Sequence, residues 1–183
     1  MVDSRSDFDI LRSHLEIHAN DHLYLNGQEM ILLPRHFFRY ILREVQAVAG
    51  TEAFRRIFEK AGHDGAVTFC RRFREVHGCT PEEAVRGYLK EMSLRGWGRF
   101  SILRLEPERG YLDVLLQNSA LAAEGELPSG HIIWEASMAG ALGFLRDCMG
   151  KPFDKPPTAR SEELPSANKV GEGCRIIVGP EPV

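Results

Sequence analysis

The chain has 183 residues, with 23 Lys and Arg against 26 Asp and Glu, for a formal net charge of −3. That length suits one domain burying roughly 70% of its unfolded surface, with no need of a disulfide or metal to fold. The acidic balance argues against a general nucleic-acid binder, and no apolar run approaches the roughly 20 residues of a membrane span.

Residues 1–20 read as a flexible lead-in. They open on Met-Val-Asp-Ser-Arg-Ser-Asp, without the apolar core of a signal peptide, so a cytoplasmic location is expected. Cys70, Cys79, Cys148 and Cys174 are scattered, as expected for thiols in a reducing compartment. His14, His18 and His22 recur every four residues and on a helix would share a face able to grip a metal. The segment lacks an apolar helical period, however, and solvated polar residues are the reading adopted.

Residues 21–183 read as a single domain. Two short apolar runs flank Asn26-Gly27, a pair suited to positive φ at both centres of a hairpin turn. Helical patterns follow. The first starts after Pro34 and ends at Gly50. A second starts at Thr51 and stops at Gly62, and a third covers Asp64 to His77. A fourth opens on Thr80-Pro81-Glu82-Glu83, a capping box with proline in the first turn, and stops at Gly96. Beyond Gly96-Trp97-Gly98 the period shortens. Phe100 to Leu105 and Tyr111 to Gln117 read as strands joined by a turn at Glu108-Arg109-Gly110. One more long helix spans about His131 to Met149, with small residues at Ala136, Gly140 and Gly143. Lys151 to Pro165 reads as an exposed proline-bearing loop, and Arg175 to Val178 as a last strand. The class is α+β: an N-terminal hairpin, a helical cluster and a small antiparallel sheet with one long helix.

No phosphate-cradling loop, nucleophile elbow or His-Glu-x-x-His is present, so no catalytic residue is assigned. The aromatic residues are the suggestive group. Trp97, Trp134, Phe37, Phe38, Phe69, Phe73, Tyr88 and Phe100, with His36 among them, either fill a core or line an apolar ligand pocket.

Leu-Pro-Arg after the hairpin, Gly62 to Gly65, Gly96-Trp97-Gly98, Leu116-Gln-Asn-Ser119 and the Met138-Ala-Gly140 helix, taken in order, resemble the 4-vinyl reductase domain family over residues 20 to 178. The resemblance implies a fold akin to haem-NO-binding domains, usually dimeric, that holds a small hydrophobic molecule. Members include sensory modules of aromatic-responsive activators and stand-alone bacterial and archaeal proteins. Many also bind zinc through a cysteine at the start of the last helix, a Glu-x-x-Cys and a final cysteine. Here Glu163 and Cys174 keep that spacing, but Ser166 replaces one cysteine and Trp134 stands at the position of the first. Two ligands cannot hold a structural zinc, so no metal and no other cofactor is expected. Trp134 either fills the vacated volume or faces the ligand.

The expected function is non-enzymatic binding of a small hydrophobic or aromatic molecule by a stand-alone sensor or carrier. The chain ends at Val183 without an output module, so regulation is expected to pass through a partner. A quaternary ammonium guest between Trp97 and Trp134 is a second option for the ligand. The alternative function is an accessory subunit or enzyme of a reductase, or of an amine or aromatic catabolic pathway, with His36, Arg39 and Glu44 as its polar groups. A homodimer is expected, with no nucleic-acid or membrane partner.

Overall fold

In the computed structural model, residues 13–18, 22–121, 130–164 and 173–179 are described. The fold is α+β, as the sequence implies. A three-stranded antiparallel sheet of β1 (Leu15–Ile17), β2 (Leu23–Leu25) and β3 (Gln28–Met30) comes first. Asn26 and Gly27 turn β2 into β3 with φ of 49° and 71°, the positive values their side chains tolerate best. Strand β1 lies within the expected lead-in, which is thereby corrected over residues 15–17. His18 and His22 belong to the strand arms, paired with Glu16 and Glu29, and not to one helix face.

Helix α1 (Arg35–His77) follows, broken at Gly50, whose φ of 80° and ψ of 164° leave the helical region. The expected stop at Gly62 does not occur. A Cβ at Gly62 would lie 2.7 Å from the Ile133 carbonyl oxygen, so glycine there serves close helix contact and not termination. Its counterpart is Gly140 on helix α3 (Gly130–Cys148), where a Cβ would collide with the His63 carbonyl. The small-residue face of α3 is thus spent against α1 within the chain.

Helix α2 (Pro81–Leu94) begins as expected. The Thr80 hydroxyl accepts from the Glu83 amide, while the Glu83 carboxylate accepts from the Thr80 amide at 2.8 Å. The Thr80 amide and the Thr80 hydroxyl, which also donates to the carboxylate at 2.8 Å, hold the Glu83 carboxyl below its ordinary value, the backbone bond being the larger influence. The second sheet has the order β4-β5-β7-β6 and is antiparallel throughout: β4 (Arg99–Glu106), β5 (Tyr111–Gln117), β7 (Gly173–Val178), β6 (Ala159–Leu164). Strand β6 corrects the loop expected at 151–165. Its polar Ala-Arg-Ser-Glu-Glu-Leu carries no alternating apolar signal, and pairing with β7 supplies its extended form.

Helix α3 lies between α1 and the four-stranded sheet. The core runs through all three layers, with Phe54, Leu42, Val85, Met138, Leu142, Leu112 and Ile176 almost fully buried. Each large side chain of this kind contributes roughly 1.5–3 kcal/mol on leaving water. Asp113 is the buried carboxylate of the sheet, and Arg175 on the adjacent strand donates to both its oxygens. No helix among the described residues is long and apolar enough to cross a membrane.

Candidate functional site

The turn from α2 into β4 is anchored by backbone hydrogen bonds on both sides of Trp97. The Trp97 amide donates to the Met92 carbonyl at 3.2 Å, and the Trp97 carbonyl accepts from the Ala120 amide at 2.8 Å. Gly98 has φ of 145°, and a Cβ there would meet Leu116 Cδ1 at 2.6 Å, so the strand can leave the helix only through glycine. Arg35, at the start of α1, donates from Nε to the Ala120 carbonyl at 2.6 Å and from its terminal nitrogen to the Ser119 carbonyl at 3.2 Å. The Ser119 hydroxyl accepts from the Trp134 indole at 3.1 Å and from the Leu121 amide at 3.2 Å. Helix α1, the α2–β4 turn, the end of β5 and helix α3 meet at this node.

Beside the node is an apolar cavity of about 570 Å³. Its walls come from the N-terminal sheet (Leu25, Met30), the segment leading into α1 (Leu33), Phe38 and Trp97. Phe38 meets Trp97 edge to face, with ring centroids 5.4 Å apart. Two cations also line it, Arg35 and Arg95. Arg95 lies over the Phe69 ring at 5.2 Å and donates to Met92 Sδ at 2.9 Å, to Met30 Sδ at 3.6 Å and to the Glu91 carbonyl at 3.3 Å. Burial pulls its guanidinium below the ordinary value, with Tyr88 and Glu91 opposing.

The residues singled out from the sequence divide sharply. Phe38 and Trp97 line the cavity. Trp134 is 2% exposed and lies behind Trp97, edge to face with both Trp97 and Phe100. The two indoles therefore pack against each other and do not stand as facing walls of one cage. Phe69 and Tyr88 are core, with ring centroids 5.2 Å apart. Burial pushes the Tyr88 hydroxyl up to about 12. Phe73 is half-buried beside Phe69. Phe100 borders a different groove, between α2 and β4. Phe37 and His36 are exposed on α1. Arg39 is half-buried, and Glu44 is exposed beside Arg43, so neither stands among the cavity walls.

The zinc motif is rearranged from its sequence reading. Trp134 points into the core, and the residue facing Cys174 is His131, whose Nδ1 is 3.4 Å from Cys174 Sγ. Glu163 pairs with Cys174 across β6 and β7, with its carboxylate 3.9 Å from His131 Nε2 and largely in solvent. Ser166 lies outside the described residues. Burial pushes the Cys174 thiol up. No group of three or more His, Cys, Asp or Glu among the described residues is arranged to hold a metal. The described residues do not fit a structural zinc.

Sequence reasoning missed Arg35, Arg95 and the aliphatic wall from the N-terminal sheet. One signal was available for Arg95: it directly precedes Gly96-Trp97-Gly98 on the helix end that carries Met92.

A family model described as a domain of unknown function (DUF5943) matches residues 12–103. No curated protein matches the sequence. Among solved structures, the crystal structure of the phenol-responsive sensory domain of the transcription activator PoxR with phenol is similar at a TM-score of 0.66. It is 18% identical, with 98% of this chain and 91% of that chain covered, a likeness in fold. A trafficking protein particle complex subunit 3 from Naegleria fowleri, covalently bound to palmitic acid, aligns at a TM-score of 0.43 and 13% identity, covering 80% of this chain and 95% of that one.

Proposed function

We propose, for a chain that belongs to the family of the domain of unknown function (DUF5943), that it binds a small apolar or aromatic molecule beside Trp97 and signals through a partner, without catalysing a reaction. The observation that carries this reading is the cavity of about 570 Å³, walled by aliphatic side chains, Phe38 and Trp97. Its size and lining are those of small-molecule sites, commonly about 300–1,000 Å³ and mostly apolar. The phenol-responsive domain of similar fold supports an aromatic guest and a regulatory partner. Membership in the 4-vinyl reductase domain family is part of the same proposal, as is a single ligand-binding domain over residues 21–183. A quaternary ammonium guest fits poorly, because Arg35 and Arg95 line the same walls.

Self-association belongs to this reading. Ile31, Leu32, Phe37 and Tyr40 are 74%, 81%, 48% and 52% exposed, an apolar strip suited to a second copy of the chain. The cytoplasm is the proposed setting, where the free thiols of Cys70, Cys79, Cys148 and Cys174 stay reduced.

The test is thermal unfolding with phenol, cresols and short aromatic acids. A guest at one hundred times its Kd stabilises the fold by about 2.7 kcal/mol, so a concentration-dependent rise in Tm is expected. The rise should be lost in Trp97→Leu. No shift with any compound overturns the reading.

A further inference from the structure

We infer that the guest of this cavity is an apolar acid, an aromatic or alkyl carboxylate whose anionic head pairs with Arg95. This rests on the binding reading above and names its ligand class. Most of the lining is hydrocarbon, which selects an apolar body. Arg95 is the exception in that wall: among the described residues it forms no ion pair, and the Glu91 carboxyl acts on it only at longer range. Its donors meet two thioether sulfurs, weak acceptors, and one backbone carbonyl, and its plane lies on the Phe69 ring. No carboxylate of the described residues lies within ion-pair distance of it.

The neighbouring acids do not fill that role. Glu29 lines the same cavity but is engaged by His22 Nδ1 at 2.5 Å. Glu91, one turn before Arg95 and 4% exposed, gives one oxygen to the Asn26 amide and leaves the other without a protein partner. Burial favours its neutral form and outweighs the opposing pull of Arg95, the next largest influence. Arg35 differs from Arg95, because its guanidinium is tied to the Ser119 and Ala120 carbonyls and frames the wall.

A cation set in an apolar wall, its two terminal nitrogens held only by thioether sulfurs, gains most from an oxyanion. The planar guanidinium fork matches a carboxylate with two parallel hydrogen bonds. Met30 and Met92, unbranched and flexible, can yield the donors they now hold. An amide, ester or hydrocarbon of the same shape offers no charge and gains less.

The experiment is titration calorimetry with phenylacetate and its neutral isostere phenylacetamide, on the wild-type protein and on Arg95→Met, with Arg95→Lys as a charge-retaining control. Phenylacetate is expected to bind the wild type at least about tenfold more tightly than the amide, the size expected of a charged hydrogen-bonded pair. Arg95→Met should erase that preference, and Arg95→Lys should fall between. Equal binding of acid and amide by the wild type overturns the inference and leaves the binding reading standing. That comparison needs no variant, so a poorly folding Arg95→Met does not blur it. If neither compound nor phenol binds, the binding reading itself falls.

Discussion

Trp134 meets Trp97 edge to face, with ring centroids 5.7 Å apart and an interplanar angle of 72°, yet only Trp97 reaches the cavity. The indole N–H of Trp134 is spent on Ser119, and its ring is 2% exposed. The two indoles should therefore separate stability from binding. Trp134→Ala is expected to cost about 3–5 kcal/mol by urea unfolding, as for other buried large-to-small changes. Trp97→Leu, at a half-buried position, should cost roughly 1–2 kcal/mol and abolish the ligand-induced rise in Tm. Equal stability losses with binding intact in both would contradict this division.

Helix α1 crosses α3 at Gly62 and Gly140, backbone against backbone. A methyl group at Gly140 has no space, because the His63 carbonyl occupies it, whereas Gly65, one turn beyond Gly62, has nothing within 4 Å. Gly140→Ala should destabilise the protein by about 1–3 kcal/mol through forced separation of the helices. Gly65→Ala should stabilise it by roughly 0.5–1 kcal/mol, since alanine loses less backbone entropy in a helix. Opposite signs in chemical denaturation are the expected outcome. Stabilisation by Gly140→Ala as well would mean that propensity, not contact, governs this crossing.

Elements governed by local chemistry were legible in the chain. Asn26-Gly27 specified a hairpin, Thr80-Pro81 with Glu83 specified a helix start, and alternation specified β4, with the turn at Glu108-Arg109-Gly110 returning the chain as β5. Elements governed by a neighbour were not. Gly62 carries the same signal whether it ends a helix or admits another, and only the approach of α3 decides. Strand β6 has no apolar alternation and takes its form from β7.

The site follows the same rule. Trp97 and Phe38 stood out as large rings, but ring chemistry alone cannot distinguish a wall from a core, and Trp134 proved to be core. Arg95 joins Met30, distant in sequence, only once the N-terminal sheet lies against α2.

Asn26, on the turn of the first sheet, donates to the Glu91 carboxyl of α2 and ties the two together. Burial is the main influence on Glu91, raising its folded value above the ordinary 4.5. Arg95, His14, Asn26 and Lys90 oppose it without reversing it. A carboxyl raised in the folded state binds its proton more tightly there than in the unfolded chain. Its contribution to stability is therefore complete below the unfolded value and is lost as pH rises through the folded one. Glu91→Gln keeps an oxygen for Asn26 and removes the titration. The two proteins should show similar urea midpoints near pH 4, and the glutamine variant should become the more stable as pH increases toward roughly 8. The difference between the two curves isolates this group from the other carboxylates. A difference that grows toward acid would show that Glu91 is held as a carboxylate and that Arg95 already has its counter-charge, and a flat one that burial does not shift Glu91.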